Sequence, residues 1–154
     1  MNKVETTIVA TGRNWVGNGA RSFIKVVHEL ITESTKHLAM TIYLITSSDI
    51  VDDIESALGK GVNVDVFVCY SKIVDSQKEI NELKRMREEY PNLNIFEVKD
   101  GVLHAKVLIS DKRRALVGSA NLTPNAMKNN YELGLLVEDG GMAHNIYKIL
   151  KGLD

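Results

Sequence analysis

Alternation of apolar and polar positions divides the first half of the chain into strands and amphipathic helices. Residues 6–11, the apolar run 38–45 and the alternating segment 62–68 are predicted to be strands. Apolar residues recur at helical spacing from about Ala20 to Thr35, and again after Ser48 or Asp49, either of which suits a helix N-cap. This β-α-β-α-β order predicts parallel strands covered by helices, because parallel strands need long crossovers.

The second half of the chain carries strands that follow one another more closely. A capping-box pattern at 76–79 begins a helix that Pro91 ends. Further strands are predicted at 93–98, 105–110, 114–118 and 131–138, and a last helix at 141–150. Several of these strands are too close together for helical crossovers, so part of the sheet is expected to be antiparallel. The predicted fold class is α/β, with a mixed, mostly parallel sheet flanked by helices on both faces of a single domain, residues 1–154.

Composition narrows the class of protein. The 154 residues are 44% hydrophobic and 25% charged, which is typical of one domain with one core and excludes a disordered chain. A single cysteine, Cys69, excludes an internal disulfide and a cysteine-based metal cluster. No apolar run approaches the roughly 18 residues of a membrane span. Residues 1–5 lack the start of a signal peptide, so no membrane anchor and a cytoplasmic location are expected.

Charge is distributed unevenly along the chain. The formal net charge of −1 argues against a globally basic nucleic-acid binder. Residues 99–131, however, contain six lysines and arginines against two aspartates, which amounts to +4 in this segment. A locally basic segment in a slightly acidic chain indicates a local anion-binding site rather than a basic surface that extends over the whole protein.

The basic segment contains a polar cluster in an otherwise apolar strand pattern. His104 and Lys106 share one face of the predicted strand, roughly 6–7 Å apart, because the side-chain period of a strand is two. A two-residue turn at Asp111-Lys112 would pair His104 with Ser119 and bring Asn121 to the same end of the hairpin. Asp111 is equally well explained as an ordinary turn residue.

This set of groups predicts phosphate chemistry. Lysine supplies a positive charge, while the serine hydroxyl and asparagine amide supply neutral donors, a combination that fits a phosphate or a developing phosphorane. A histidine beside them could attack phosphorus or transfer a proton. A lysine within the cluster would repel a divalent cation, and the chain has no His-x-x-x-His or cysteine pair. No metal and no cofactor are therefore predicted.

The spacing His104-x-Lys106-x4-Asp111-x6-Gly118-Ser119-x-Asn121 resembles the His-Lys-Asp signature of the phospholipase D superfamily. The resemblance implies a mixed sheet sandwiched by helices, and a metal-free site where two signature copies meet. By this resemblance, one histidine is expected to become a phosphohistidine and the other to protonate the leaving group, while Lys106 and Asn121 are expected to hold the phosphoryl oxygens. Asp111 matches a mainly structural aspartate, and Glu132 matches a downstream glutamate that orients the nucleophile.

Only one copy of the signature is present, because no other histidine is followed two residues later by lysine. Single-copy members of the superfamily are typically homodimers with the site on the two-fold axis, and a C2 interface does bring the same residue of both chains together. The resemblance therefore implies a small homodimeric nuclease acting on DNA or RNA. Two alternatives stay open: a non-cleaving nucleic-acid-binding subunit of a defence or repair assembly, and a phospholipid phosphodiesterase.

Overall fold

The residues that the structure describes form a central sheet of eight strands. The computed structural model describes residues 3–153, so Met1, Asn2 and Asp154, the ends of the predicted domain, lie outside the described residues. The strands are β1 (Glu5–Thr11), β2 (Ala20–Ser22), β3 (His37–Ile42), β4 (Asn63–Cys69), β5 (Leu93–Val98), β6 (Lys106–Ser110), β7 (Arg114–Gly118) and β8 (Glu132–Glu138). Their order across the sheet is β2-β1-β8-β7-β6-β3-β4-β5.

Three of the helices in residues 3–153 begin after a side chain that caps them. The helices are α1 (Phe23–Glu33), α2 (Ser48–Gly59), α3 (Gln77–Glu89), α4 (Pro124–Lys128) and α5 (Gly140–Lys151), and a 3-10 segment covers Tyr70–Ser76. The Ser47 side chain caps α2, Thr123 caps α4 and Asp139 caps α5, each by accepting a backbone N–H of the first turn. None of the helices in residues 3–153 combines the length and apolarity that crossing a bilayer requires.

The structure confirms the α/β class, the mixed sheet and the helices on both of its faces. It corrects the expectation of a mostly parallel sheet, since four of the seven neighbouring strand pairs in the described residues are antiparallel. The reason is the length of the connections. Three residues join β6 to β7, and the link from β7 to β8 contains only the short helix α4, so neither link forms a crossover.

Three local features differ from the sequence predictions. The strand β2 occupies the first residues of the helix predicted from Ala20, because Ala20–Ser22 pair with β1. The helix α4 and the 3-10 segment were not predicted. The Ser76 hydroxyl does not cap α3, and it accepts a hydrogen bond from the Ile45 backbone at 2.9 Å instead.

Helices cover one face of the sheet fully and the other face only in part. Helices α1, α2 and α3 bury one face, with Leu30, Ile54 and Leu83 among the fully buried side chains. Helix α5 covers only part of the other face, where Ala143 and Leu150 belong to the core that contains Phe67 and Ile109. The rest of that face, over β1, β8 and β7, exposes four apolar side chains that we call the open face: Ile8, Val117, Leu133 and Leu135.

Candidate active site

The predicted site residues gather where several strands end together. The ends of β1, β3 and β7 meet the beginnings of β6 and β8 there, because Ile42 and Gly118 both lie beside the start of β6 and Thr11 pairs with Glu132. The Thr41 hydroxyl joins two of these strands, donating to the Ala105 carbonyl at 2.6 Å and accepting from the Val107 backbone N–H. We call this end of the sheet the site edge.

The hairpin that carries the signature has a different register from the predicted one. Ser110 pairs with Arg114 and Lys106 pairs with Gly118, so His104 and Ser119 are not opposite each other. Asp111 and Lys112 adopt φ of +53° and +52°, and the Arg113 N–H bonds to the Ser110 carbonyl. Three residues rather than two therefore connect the strands, which shifts the pairing by one position.

His104 lies just before β6, exposed to solvent and in contact with Lys106. The Lys106 ammonium is 3.0 Å from His104 Nδ1, 3.1 Å from Nε2 and 2.7 Å from the His104 carbonyl oxygen. The Tyr43 ring packs edge-on against the imidazole at a centroid distance of 4.6 Å, and it also lies 5.0 Å from the Lys106 ammonium. Tyr43 therefore contacts both His104 and Lys106, although the sequence analysis did not name it as a site residue.

The electrostatics of the cluster depend on burial and on one carboxylate. Partial burial lowers the pKa of Lys106, and the negative charge of Glu132 offsets only part of this effect. A lysine that is incompletely hydrated interacts more strongly with an incoming anion than a fully exposed one. The position of Lys106 thus suits the predicted role of holding a phosphoryl oxygen.

Glu132 and Ser119 are joined to each other rather than to the histidine. The Ser119 hydroxyl donates a short hydrogen bond to Glu132 Oε2 and accepts the Leu133 N–H at 3.0 Å. Asn130 donates to the other carboxylate oxygen of Glu132 at 3.2 Å. Among the described residues no hydrogen bond links Glu132 to His104. The glutamate thus orients Ser119 in a single chain.

Asn121 lies at the site edge, near Lys106. It lines a small cavity of about 30 Å³ together with Lys106, Tyr43 and Gly118. Its Oδ1 atom is buried and has no hydrogen-bond partner within residues 3–153. A buried amide oxygen without a partner is costly, which is typical of a functional position.

The glycine of the signature has a packing role. A Cβ at Gly118 would lie 2.8 Å from Gly134 Cα, 2.8 Å from the Leu133 carbonyl oxygen and 3.0 Å from the Phe23 ring. The paired Gly134 is equally restricted, with the Phe23 ring 2.9 Å from its virtual Cβ. Both glycines therefore let Phe23 of α1 pack directly onto the strands beneath the site.

Asp111 is the one predicted site residue that lies away from this cluster. It follows β6 at the end opposite Lys106, where its carboxylate accepts backbone N–H bonds from Thr35, Lys36 and His37 at 2.8–3.2 Å. Burial by itself raises the pKa of Asp111, but the hydrogen bonds from the His37, Lys36 and Thr35 backbones outweigh it and lower the pKa below its usual value. The residue holds the α1–β3 connection and does not contact His104 or Lys106.

No ligand set for a metal ion is formed in the described part of the chain. Nowhere in residues 3–153 do three or more histidine, cysteine, aspartate or glutamate side chains gather closely enough to hold one. The site edge holds an imidazole, an ammonium, a hydroxyl and an amide, together with the Glu132 carboxylate, which is bound to Ser119. The cationic and neutral donors among these groups suit an anion.

The fold is a sheet between two layers of helices, with histidine, lysine and asparagine gathered at one sheet edge. Together they define a class of α/β protein with an anion-binding site at the end of its sheet. The sequence profile of the family described as "Cardiolipin synthase, PLD-like domain" matches residues 27–153. The chain therefore belongs to this phospholipase D-like family, which confirms the resemblance seen in the signature.

Relatives of known sequence differ in length and name. The chain is 35% identical over 136 residues to DISARM protein DrmC of Bacillus paralicheniformis, an alignment that covers 84% of the chain and 55% of that protein. It is 29% identical over 132 residues to cardiolipin synthase A of Pectobacterium carotovorum, covering 79% of the chain and 26% of the relative. The chain thus spans only about half of the first relative and a quarter of the second.

Solved structures share the fold over nearly the whole chain. Nuc from Salmonella typhimurium, a phospholipase D family member, matches with a TM-score of 0.80 at 17% identity, covering 97% of this chain and 93% of Nuc. NucT from Helicobacter pylori matches with a TM-score of 0.78 at 21% identity, covering 98% and 96% of the two chains. At this level of identity, the comparison shows a common fold.

Proposed function

We propose that the protein is a metal-independent phosphodiesterase that hydrolyses DNA or RNA through a phosphohistidine intermediate. The observation that carries the proposal is the contact between His104 and Lys106 at the site edge, with Asn121 lining the adjoining cavity. Membership of the phospholipase D-like family supports phosphodiester chemistry. The basic segment 99–131, with a net charge of +4, supports a polyanionic substrate.

The proposed reaction needs two imidazoles in different protonation states. A neutral His104 forms a P–N bond while the P–O bond to the leaving group breaks, and a second imidazolium gives its proton to the leaving oxygen. Water then attacks phosphorus, the second imidazole takes up a proton of this water, and the P–N bond breaks. Lys106 and the Asn121 amide hold the phosphoryl oxygens as negative charge develops.

The second imidazole is proposed to be His104 of a second copy of this chain. The open face supports this arrangement, because Ile8, Leu135 and Val117 form a row across three strands and are 41–48% exposed. Leu133, 53% exposed, extends the row toward Ser119, whose N–H bonds to the Leu133 carbonyl. An apolar surface that continues into the site is suited to a two-fold contact that brings two sites together.

The decisive test is cleavage of a labelled oligonucleotide in EDTA by the native chain and by His104→Ala. We expect cleavage by the native chain, with a rate that falls on both sides of an optimal pH, because one imidazole must be neutral and the other protonated. His104→Ala should lose on the order of a thousandfold in rate. His144→Gln, which changes an exposed histidine of α5, is the matched control and should retain full activity.

Trapping the intermediate tests the covalent step. Acid-labile, base-stable label should remain on the native chain after quenching and be absent from His104→Ala. Binding of nucleic acid without cleavage at any pH would favour the non-cleaving subunit, and release of a headgroup from phospholipid vesicles would favour a lipid substrate. Normal cleavage by His104→Ala would show that the assignment of the nucleophile is wrong.

A further inference from the structure

The site edge continues beyond the reacting groups as a line of tyrosines and lysines. The Tyr43 ring, which supports His104, also has the Lys72 ammonium 5.4 Å from its centroid. The Lys99 ammonium lies 5.1 Å from the centroid of the Tyr70 ring. We call Tyr43, Tyr70, Lys72 and Lys99 the lysine–tyrosine path.

The strand order places this path on one side of His104. Cys69 pairs with Val98, so Tyr70 and Lys99 directly follow the ends of neighbouring strands β4 and β5. From Lys106 at the start of β6, the path crosses β3 and β4 before it reaches β5. Three strand spacings of about 4.8 Å make this roughly 14 Å. Tyr70 is 51% exposed, so its ring is accessible from solvent.

The lysines of the path are available to an anion. Lys72 has Asp75 at 3.4 Å, but both side chains are substantially exposed and such a pair is weak. Contacts with Tyr43 and then Asp75 raise the pKa of Lys72, so its amine is charged at neutral pH. Near Lys99, Glu97 is bound to Lys84 at 2.8 Å, while Asp100 is the exposed acidic neighbour in sequence.

Alternating ammonium groups and aromatic faces match a particular ligand chemistry. Single-stranded nucleic acid presents a phosphate at every nucleotide and unpaired bases that stack on aromatic rings, whereas a duplex hides its bases. A phospholipid presents its phosphodiester at the reacting groups and no regular series of phosphates extending from it. Charges spread over roughly 14 Å of the sheet edge therefore favour a polymer.

We propose that the lysine–tyrosine path binds the nucleotides beside the scissile phosphate of a single-stranded nucleic acid. Lys72 and Lys99 contact backbone phosphates, and Tyr70 stacks on an unpaired base. This inference rests on the proposed nuclease function. The path gives the protein its preference for single strands, while His104 and Lys106 carry out the reaction.

The experiment compares a polymer with a substrate that is too small to reach the path. Cleavage of a single-stranded oligonucleotide, of a hairpin duplex and of bis(p-nitrophenyl) phosphate is measured for the native chain and for Lys72→Gln/Lys99→Gln. The matched control is Lys36→Gln/Lys60→Gln, which removes the same charge from exposed lysines at the opposite end of the sheet. Tyr70→Leu is compared with Tyr70→Phe, which keeps the aromatic face.

We expect Lys72→Gln/Lys99→Gln to raise KM for the oligonucleotide roughly tenfold, since two exposed ion contacts contribute about threefold each. The slope of log KM against log salt should fall by about 0.7 for each lost phosphate contact. Turnover of bis(p-nitrophenyl) phosphate should not change. Tyr70→Leu should raise KM at least about fivefold, which reflects the loss of one stacked base, while Tyr70→Phe keeps most of the affinity.

Failure of this inference can be distinguished from failure of the proposed function. If the path variant and the control have the same KM and salt slope, or if the native chain prefers the duplex, the inference is wrong even when cleavage is observed. If the native chain cleaves nothing, the path is tested alone by fluorescence anisotropy of the labelled oligonucleotide. Lys72→Gln/Lys99→Gln should then bind it more weakly than the native chain and than Lys36→Gln/Lys60→Gln. If Lys72→Gln/Lys99→Gln loses binding to phosphatidylglycerol vesicles but still binds the oligonucleotide, the path contacts a lipid surface and the inference is wrong.

Discussion

Replacing Asp111 by alanine separates a structural role for the signature aspartate from a catalytic one. Its carboxylate accepts the Lys36 and His37 N–H groups at 2.8 and 2.9 Å, with longer contacts to the Thr35 N–H and hydroxyl. Asp111 also has a φ of +53°, a conformation that aspartate, asparagine and glycine adopt more easily than alanine. The substitution therefore removes hydrogen bonds and adds backbone strain.

The expected loss of stability can be estimated from these two contributions. The two short bonds to a half-buried carboxylate contribute about 1 kcal/mol each, which is below the value for fully buried charged hydrogen bonds. The strain of alanine in the left-handed region adds about 1 kcal/mol. Asp111→Ala should therefore lower the free energy of unfolding by about 3 kcal/mol. Asp111→Gly should lose about 2 kcal/mol, and Asp111→Asn, which keeps one acceptor oxygen, about 1 kcal/mol.

Urea unfolding of the three variants measures this series, and phosphodiesterase turnover is measured on the folded protein well below each unfolding midpoint. We expect the loss of stability to increase from Asn to Gly to Ala, with turnover per folded molecule within about threefold of the native value, because Asp111 lies at the opposite end of β6 from Lys106. A fall in turnover of more than tenfold without a change in unfolding would refute the structural role.

Three further substitutions test other parts of the structure. Burial raises the pKa of Asp65, but hydrogen bonds, led by that from His37, outweigh it and lower the pKa to about 2. The unfolded chain then binds more protons, so the stability lost between pH 4 and pH 2 in urea unfolding should be about 2 kcal/mol larger in the native chain than in Asp65→Asn. Gly134→Ala should cost about 1–3 kcal/mol in the same assay, since the Phe23 ring leaves no room for a methyl group. Leu135→Asp, on the open face, should yield monomers by light scattering and abolish turnover; active dimers would count against the proposed two-fold contact.

Much of the fold was predictable because local patterns decide it. The strands at residues 93–98 and 114–118 were predicted with the bounds that the structure shows, because each is a short apolar segment bounded by residues typical of turns. The strand β2 was not predictable in this way. Its three residues become a strand only because β1 lies beside them, and nothing in their own pattern distinguishes them from the helix that follows.

The candidate site, too, was predictable only where its residues lie close together in sequence. His104, Lys106 and Asn121 were recognisable because they lie at characteristic spacing within one short segment of the sequence. The structure brings them to one sheet edge. Tyr43 and Lys99 were missed, since each joins the site edge through strands that are distant in sequence. A search for polar and aromatic residues that immediately follow each predicted strand would have found Lys99, whereas Tyr43 falls inside the predicted strand 38–45 and follows β3 only in the structure.

The sequence by itself determined most of the strand and helix segments, the family signature and the chemical groups available at the site edge, because these depend on residues close together along the chain. Only the tertiary structure decided the hairpin register, the separation of Asp111 from His104 and Lys106 and the extent of the open face. These depend on which strands become neighbours. Burial of apolar surface across the whole sheet selects those neighbours, and no local pattern encodes that sum.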